Sequence, residues 1–353
     1  MSKNTTSSSA PGSFARKPRI GLKDLAAHLR LSQSTVSRVI SNSAAIHRIA
    51  VETQQRVLKA AAEMNYKPNV VARSLRKKQS FTIGVMVPEI SEGYAASVLG
   101  GIEEALLSEK FFYFVVSHHH LPELLLGYPH LLLSRAVEGI IAVDTPIREE
   151  LPVPIVAVSG HSRKSGMVTI ELDHLTAARY ALSHLAELGH RKIAFIKGQS
   201  FSSDTNVRWK AIRQVSAGLG ISVDSELVVQ LEGIEPGSDP GYQAMQKLLA
   251  RGVRFTALFA FNDASAIGAI AALHDAGLHV PRDVSVVGFD DIPGAATVHP
   301  ALTTVRQPLR EMGRAAAVNL LRLIRKEDGF PVQRSILVAP GFIKRRSTNR
   351  ISS

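Results

Sequence analysis

From residue 81 onward, short apolar runs alternate with helical stretches, and no other feature of the sequence narrows the fold so far. Runs at 83–87, 112–116, 139–143, 155–158, 192–196, 257–260 and 285–289 have the length and β-branched content of buried strands. Between them, 95–108, 124–134, 176–188, 209–218, 243–251 and 264–276 carry helical spacing. Strand–helix alternation means parallel sheets covered by helices on both faces. The unit occurs twice, at about 81–160 and about 170–290, with a C-terminal return crossing back. The expected fold class is therefore α/β, with two doubly wound parallel-sheet subdomains around a cleft.

Ligands bind such sheets in the loops beyond the carboxyl ends of the strands. Asp173, Arg208, Asn262, Asp290 and Gln307 fall in or beside loops of that kind. Two carboxylates, two amides and a guanidinium suit a small hydroxylated ligand, because each hydroxyl both donates and accepts. Trp209 offers an apolar face for a sugar ring. Taken singly, each of these residues is equally well a helix cap or a turn residue.

The first eighty residues have a different character. Residues 22–40 read as two short helices and a tight turn. Leu22, Leu25, Ala26 and Leu29 form one apolar stripe, and Ser32 is a good N-cap for the second helix. On that helix Val36, Val39 and Ile40 point back, while Gln33, Ser34, Ser37 and Arg38 share the front. An apolar back with an amide, hydroxyls and a guanidinium in front suits the major groove. There Gln pairs with adenine and Arg with guanine, each bidentate contact giving roughly 1–3 kcal/mol of discrimination. The plainer alternative is a helical hairpin with a solvated face. A third helix over 52–65, with Val57, Ala60, Ala61 and Met64 inward, closes a three-helix core and ends before Pro68.

Charge favours the nucleic-acid reading. Residues 1–80 hold fifteen Lys and Arg against Asp24, Glu52 and Glu63, which accounts for the whole net charge of +12 and leaves 81–353 neutral. Phosphate binding by counterion release explains such a segregation. The chain's 353 residues, 45% hydrophobic, suffice for two or three domains. There is no cysteine, which fits a reducing cytoplasm. Residues 1–17 are polar and expected to be disordered, with no apolar stretch of the kind an export signal or membrane anchor needs. That counts against a periplasmic solute-binding protein.

Several signals fail on inspection. Asp290 and Asp291, adjacent at a strand end, should point apart and so make a poor catalytic pair. His118-His119-His120 is expected to be a solvated loop without metal. No phosphate-binding loop, dinucleotide turn or nucleophile elbow is present, so no cofactor and no enzymatic activity are expected.

Four motifs, Asp24-Leu25-Ala26, the run from Ser32 to Arg38, Asn65-Tyr66-Lys67-Pro68-Asn69 and Ala72-Arg73-Ser74-Leu75, resemble the lac/galactose repressor family of bacterial transcription regulators. The resemblance extends to about residue 345. It implies a helix-turn-helix head at 18–66, a hinge at 67–80, a periplasmic-binding-protein-like core at 81–345 that binds ligand and dimerises, and tails at 1–17 and 346–353. It implies a repressor whose affinity for double-stranded operator DNA responds to a sugar or related effector. Gln33, Ser34, Thr35, Ser37 and Arg38 would lie on the DNA. Asn69, Ala72, Arg73 and Leu75 would dock a hinge helix in the minor groove, with Leu75 wedged between base pairs. Tyr94 would form a wall of the effector site beside Asp173, Arg208, Asn262, Asp290 and Gln307. The sequence departs from the family at Gly21, in place of a threonine cap, and at Leu29-Arg30, in place of a small residue and a glycine. It also departs at 121–130, where Pro129 should break or kink a helix. The basic C-terminus, 343–353, lacks the leucine heptads of a tetramerising bundle, so a homodimer without membrane contact is expected.

Overall fold

The apolar stripes read at the N-terminus meet in one small core. In a computed structural model the described residues are 20–41, 48–67, 79–91, 93–159, 167–234, 237–327 and 335–351. The chain divides into two units, Met1–Ser80 and Phe81–Ser353. In the first, helices α1 (Leu22–Leu29), α2 (Gln33–Ile40) and α3 (Val51–Glu63) bury Leu25, Val36, Val39 and Val57. Ser32 Oγ accepts the Thr35 N–H at 3.1 Å and caps α2 as expected. Gly21 has no side chain with which to cap α1. Instead the Asp24 carboxylate reaches back to the Gly21 N–H at 2.8 Å. Arg30 ends α1 in the left-handed region, φ +53° and ψ +39°. A glycine takes that conformation without cost, whereas an L side chain loses about 1–2 kcal/mol.

The second unit holds two six-stranded sheets. The first contains β1 (Thr82–Val87), β2 (Phe112–Ser117), β3 (Gly139–Val143), β4 (Ile155–Val158), β5 (Val168–Leu172) and β11 (Ser335–Val338). Their order is β11-β5-β4-β3-β1-β2, and all pairs are parallel. The second contains β6 (Ile193–Lys197), β7 (Val228–Gln230), β8 (Ala257–Phe259), β9 (Ser285–Asp290), β10 (Thr303–Arg306) and β12 (Gly341–Ile343). It is wound the same way, β12-β10-β9-β8-β6-β7, with only β12 antiparallel. The repeat expected from the sequence is thus a repeat of topology, with a switch point at β1/β3 in one sheet and β6/β8 in the other.

Each sheet is covered on both faces, which is why β3 and β4 are apolar at every position. Helices α4 (Gly93–Ser108), α5 (Pro122–Ser134) and α11 (Leu309–Arg325) serve the first sheet. Helices α6 (His174–Glu187), α7 (Ser203–Gly218), α8 (Asp239–Ala250), α9 (Asp263–Asp275) and the short α10 (Pro293–Thr297) serve the second. Among the described residues the chain passes between the lobes three times: at Asp173, at Gln307-Pro308 and at Ala339-Pro340. Among the described residues no helix is long and apolar enough to cross a membrane.

Three expectations need correction. The second lobe does not end near 290. It continues through β10 and takes back β12, because strand pairing decides membership. The segment 346–351 is no tail: Ser347 is fully buried, its carbonyl accepts the Val286 N–H at 2.7 Å, and the Arg346 N–H donates to Ala301 O at 2.9 Å. Backbone groups beside a sheet need partners, and this segment supplies them. Finally, Pro129 does not break α5, which runs on through it to Ser134. A proline there removes one backbone hydrogen bond, and burial of Pro129 and Leu132 on one face holds the helix onto the sheet.

Helices α4 and α11 approach backbone to backbone. A Cβ on Gly313 would lie 2.1 Å from Val98 O, and one on Gly101 would lie 1.9 Å from Arg310 O. Neither contact can be relieved by a rotamer change. Gly313→Ala should therefore destabilise the second unit by ~3 kcal/mol, as overpacking of a rigid contact does, and lower its urea midpoint. Arg30→Gly should stabilise the head by about 1 kcal/mol in the same measurement.

Candidate functional site

The exposed face of α2 is polar because its opposite face is spent on the core. Val36 and Val39 are buried, and Gln33, Ser34 and Arg38 are exposed, with Thr35 and Ser37 half-buried. The Ser34 and Thr35 hydroxyls each lie 2.8 Å from Ser32 Oγ, so they take part in the cap. Gln33 and Arg38 are the long polar side chains that this face presents. Asn69, Ala72, Arg73 and Leu75 lie outside the described residues.

The second candidate site is the cleft between the two lobes, at the carboxyl ends of both sheets. Tyr94 enters it from the first turn of α4, and Asp144 from the loop after β3. Asp204 and Arg208 come from the start of α7, Asn262 from the loop after β8, Asp290 from the end of β9, and Gln307 from the residue after β10. Five of the six expected cleft residues are brought together here. Asn262 also caps α9, its side-chain oxygen accepting the Ser265 N–H at 2.8 Å.

Arg208 is the centre of the arrangement. Its guanidinium lies 3.6 Å from the Phe289 ring centroid and 4.3 Å from that of Phe261. Nη2 donates to Asp204 at 3.2 Å and Nη1 donates to the Phe261 carbonyl. A buried guanidinium needs such a carboxylate and carbonyl set. Gln307 Nε2 donates to Asp290 Oδ1 at 2.5 Å. Asp290 is held at φ +115°, a conformation an L side chain rarely adopts. Burial pushes its carboxyl well above the usual range, against the pull of Arg208. Asp291 points the other way, to Arg306 at 2.7 Å and Arg345 at 2.6 Å, so the adjacent aspartates do diverge. Two buried polar atoms on the cleft residues have no hydrogen-bond partner: Arg208 Nε and Gln307 Oε1. Such atoms in a folded interior ask for a water or a ligand.

The lobes touch through the cleft. Asp144 accepts from Ser203 Oγ at 2.7 Å and from the Ser203 N–H at 3.3 Å. Burial, together with the charge of Asp204, lifts its carboxyl to about 6. Ser159 Oγ donates to Asp204 at 3.4 Å and lies 3.1 Å from the Tyr94 hydroxyl. His120 stacks on Phe201 with ring centroids 3.9 Å apart.

Other expectations fail here. Asp173 stays out of the cleft: its carboxylate caps α6, accepting the Thr176 N–H at 3.0 Å and hydroxyl at 2.6 Å. Trp209 is also elsewhere, edge-on to Phe195 at 5.7 Å and beneath Lys197. The aromatic surfaces of the cleft are Tyr94, His120, Phe201 and Phe261 instead. The histidine tract is not a solvated loop. His118 is fully buried, with Nε2 2.9 Å from Thr145 Oγ1 and Nδ1 accepting the His120 N–H at 3.0 Å. His119 lies 3.0 Å from Glu89. Among the described residues no group of three ligating side chains is placed to hold a metal.

Asp144 and Asp204 were missed in the sequence although signals were present. Asp144 follows β3 as Asp290 closes β9, and Asp204 precedes Arg208 by four residues on one helix, the spacing of a facing ion pair.

Burial lowers the His118 imidazole from 6.5 to about 4. Between those values the unfolded chain holds a proton that the folded chain does not. Stability should therefore fall as pH drops from 6.5 toward 4 and stay level above that window. His118→Gln should flatten this part of the profile in a series of urea melts, and an unchanged slope would contradict the assignment.

Comparison with known proteins places these two sites in a family. The model of bacterial regulatory proteins of the lacI family matches residues 21–69, and that of a periplasmic binding protein-like domain matches 182–348. The HTH-type transcriptional repressor PurR of Haemophilus influenzae is 31% identical over 343 residues, covering 94% of this chain and 99% of the relative. A crystal structure of the lac repressor dimer bound to operator and the anti-inducer ONPF superposes with a TM-score of 0.82 at 26% identity, covering 94% of this chain and 99% of that one. The complex of the transcriptional regulator CelR with cellobiose reaches 0.68 at 28% identity, covering 93% and 100%. The chain belongs to the LacI family: it is a DNA-binding transcription regulator with a periplasmic-binding-protein-like ligand domain, and not an enzyme.

Proposed function

We propose that this regulator is a cytoplasmic homodimer that represses transcription from a pseudopalindromic operator, and that a sugar or related hydroxylated molecule in the interlobe cleft sets its affinity for that operator. The observation that carries the effector half is the pair of unpartnered buried atoms, Arg208 Nε and Gln307 Oε1. One asks for an acceptor and the other for a donor, and a single hydroxyl can answer both. Tyr94, Asn262 and Asp290, with the additional Asp144 and Asp204, complete the contact set; Asp173 drops out of it.

On the DNA side, Gln33 and Arg38 read base edges, and Ser34, Thr35 and Ser37 lie at the backbone of the duplex. Asn69, Ala72, Arg73 and Leu75 act in the minor groove. A two-fold protein matches two half-sites. The first sheet's edge strand β2 supports a dimer, because Phe112 is 60% exposed and Phe114 and Val115 37% each. Apolar side chains along a strand edge are normally covered by a partner. Ligand closure and operator affinity are then linked by one coupling free energy in both directions, typically 1–3 kcal/mol.

Arg38→Ala should cost about 1–3 kcal/mol on the preferred operator and relax base preference at one position of each half-site. Equal weakening on every sequence would make Arg38 a phosphate contact. A thermal-shift screen of sugars should find a ligand that raises the melting temperature, because a molecule that binds only the folded state stabilises it. Asp290→Ala should remove that rise, and a rise of undiminished size would take Asp290 out of the site.

A further inference from the structure

Among the described residues that line it, the cleft holds more carboxyl groups than cations to face them. Asp204 and Asp290 are buried, Asp144 is half-buried, and Glu89 stands at the rim. Beside them is the guanidinium of Arg208, already 3.2 Å from Asp204 and close to two phenyl rings. His174 Nε2 lies 3.6 Å from the other oxygen of Asp204. The other described titratable groups of the lining add no cation: the Tyr94 hydroxyl is pushed up by burial and stays neutral, and burial pushes the His120 imidazole down. Asp144 is the least compensated. Its hydrogen-bond partners are neutral donors, the hydroxyls of Ser202 and Ser203 and the Ser203 amide, and its charged neighbour is the like-charged Asp204.

Resting on the reading of this cleft as the effector site, we infer that the effector brings the missing positive charge. It is a hydroxylated molecule carrying a protonated amine, with the ammonium beside Asp144 and Asp204 and a hydroxyl on Arg208 Nε and Gln307 Oε1. Three further features fit. An ammonium donates three hydrogen bonds and accepts none, which suits a wall of carboxylate oxygens. The aromatic residues Phe201 and Tyr94 line the same space, and aromatic rings tolerate a cation. A phosphate or carboxylate on the ligand would be buried against Asp144 and Asp204, with one already engaged arginine among the described lining residues to receive it, and like charge at short range in a closed site is strongly unfavourable. The carboxylate surplus is therefore a filter: it admits amino-bearing hydroxylated ligands and rejects phosphorylated ones.

The test uses the full chain at pH 7 and matched trios of probes: D-glucose, D-glucosamine and D-glucose 6-phosphate, and the same three forms of D-galactose. Binding is read by calorimetry and by melting temperature. In at least one trio the amine should bind about tenfold or more tighter than its parent sugar, the ratio given by 1.4 kcal/mol, and the phosphate should not bind. In Asp144→Asn and Asp204→Asn the ratio of amine to parent affinity should fall toward one. A parent sugar that binds as tightly as its amine overturns the inference and leaves the hydroxylated-effector reading standing. A phosphate that binds best overturns it likewise. If no member of either trio binds, the inference fails, and the thermal-shift screen of sugars decides the hydroxylated-effector reading separately. The wild-type comparison decides these outcomes even if a variant does not fold.

Discussion

The bond from Gln307 to Asp290 joins the floor of the cleft to one of the three places where the chain crosses between lobes. Each lobe has its own pair of apolar clusters, one on either face of its sheet, so each moves as a packed body and relative motion concentrates at the crossings. Gln307 belongs to a crossing, and its side chain meets a cleft carboxylate. On the proposed reading, a ligand that engages Gln307 Oε1 would act at a crossing directly. Asp173 stands at another crossing, where its N–H donates to Val338 O at 3.0 Å. This explains how a residue in the right loop for ligand contact serves instead as a joint and a helix cap. The third crossing, Ala339-Pro340, leads to β12 and then to the segment whose Ser347 and Asn349 tie down the β9 flank.

What the sequence made legible follows from what is buried on two sides. Strands β3 and β4 have the bounds read from the apolar runs, because every residue in them faces a core. The edge strands β7, β11 and β12 did not stand out. They are three or four residues long and half-exposed, and no run of that length differs from a loop. Pro129 misled because a helix lying on a sheet tolerates one missing hydrogen bond where an isolated helix would not. The histidine tract misled for a related reason: spacing says nothing about a hydroxyl such as Thr145, 27 residues away, that satisfies a buried imidazole.

The cleft was half legible. Arg208, Asn262, Asp290 and Gln307 declare themselves by following strand ends or opening helices. Asp144 meets the same criterion. Its partner in charge, Asp204, becomes visible only when α7 is seen to begin at Ser203 and not near Trp209. Neighbours on a helix point about 100° apart, so Arg208 faces the cleft while Trp209 lies against Phe195. The head was more fully legible, since a small three-helix core leaves few choices. One unusual requirement, a left-handed Arg30, could be read from the residue itself.

The central claim is a division of labour: the cationic first eighty residues grip the duplex, and the neutral remainder senses the ligand. The most direct test is fluorescence anisotropy of the full chain and of residues 81–353 on one duplex across a salt series. The full chain should bind with an affinity that falls steeply with salt, in a log–log slope of about −0.9 for each phosphate neutralised. The shorter chain, which keeps both sheets and their cores, should show almost no binding at any salt concentration. Equal affinities and equal slopes for the two would contradict the account.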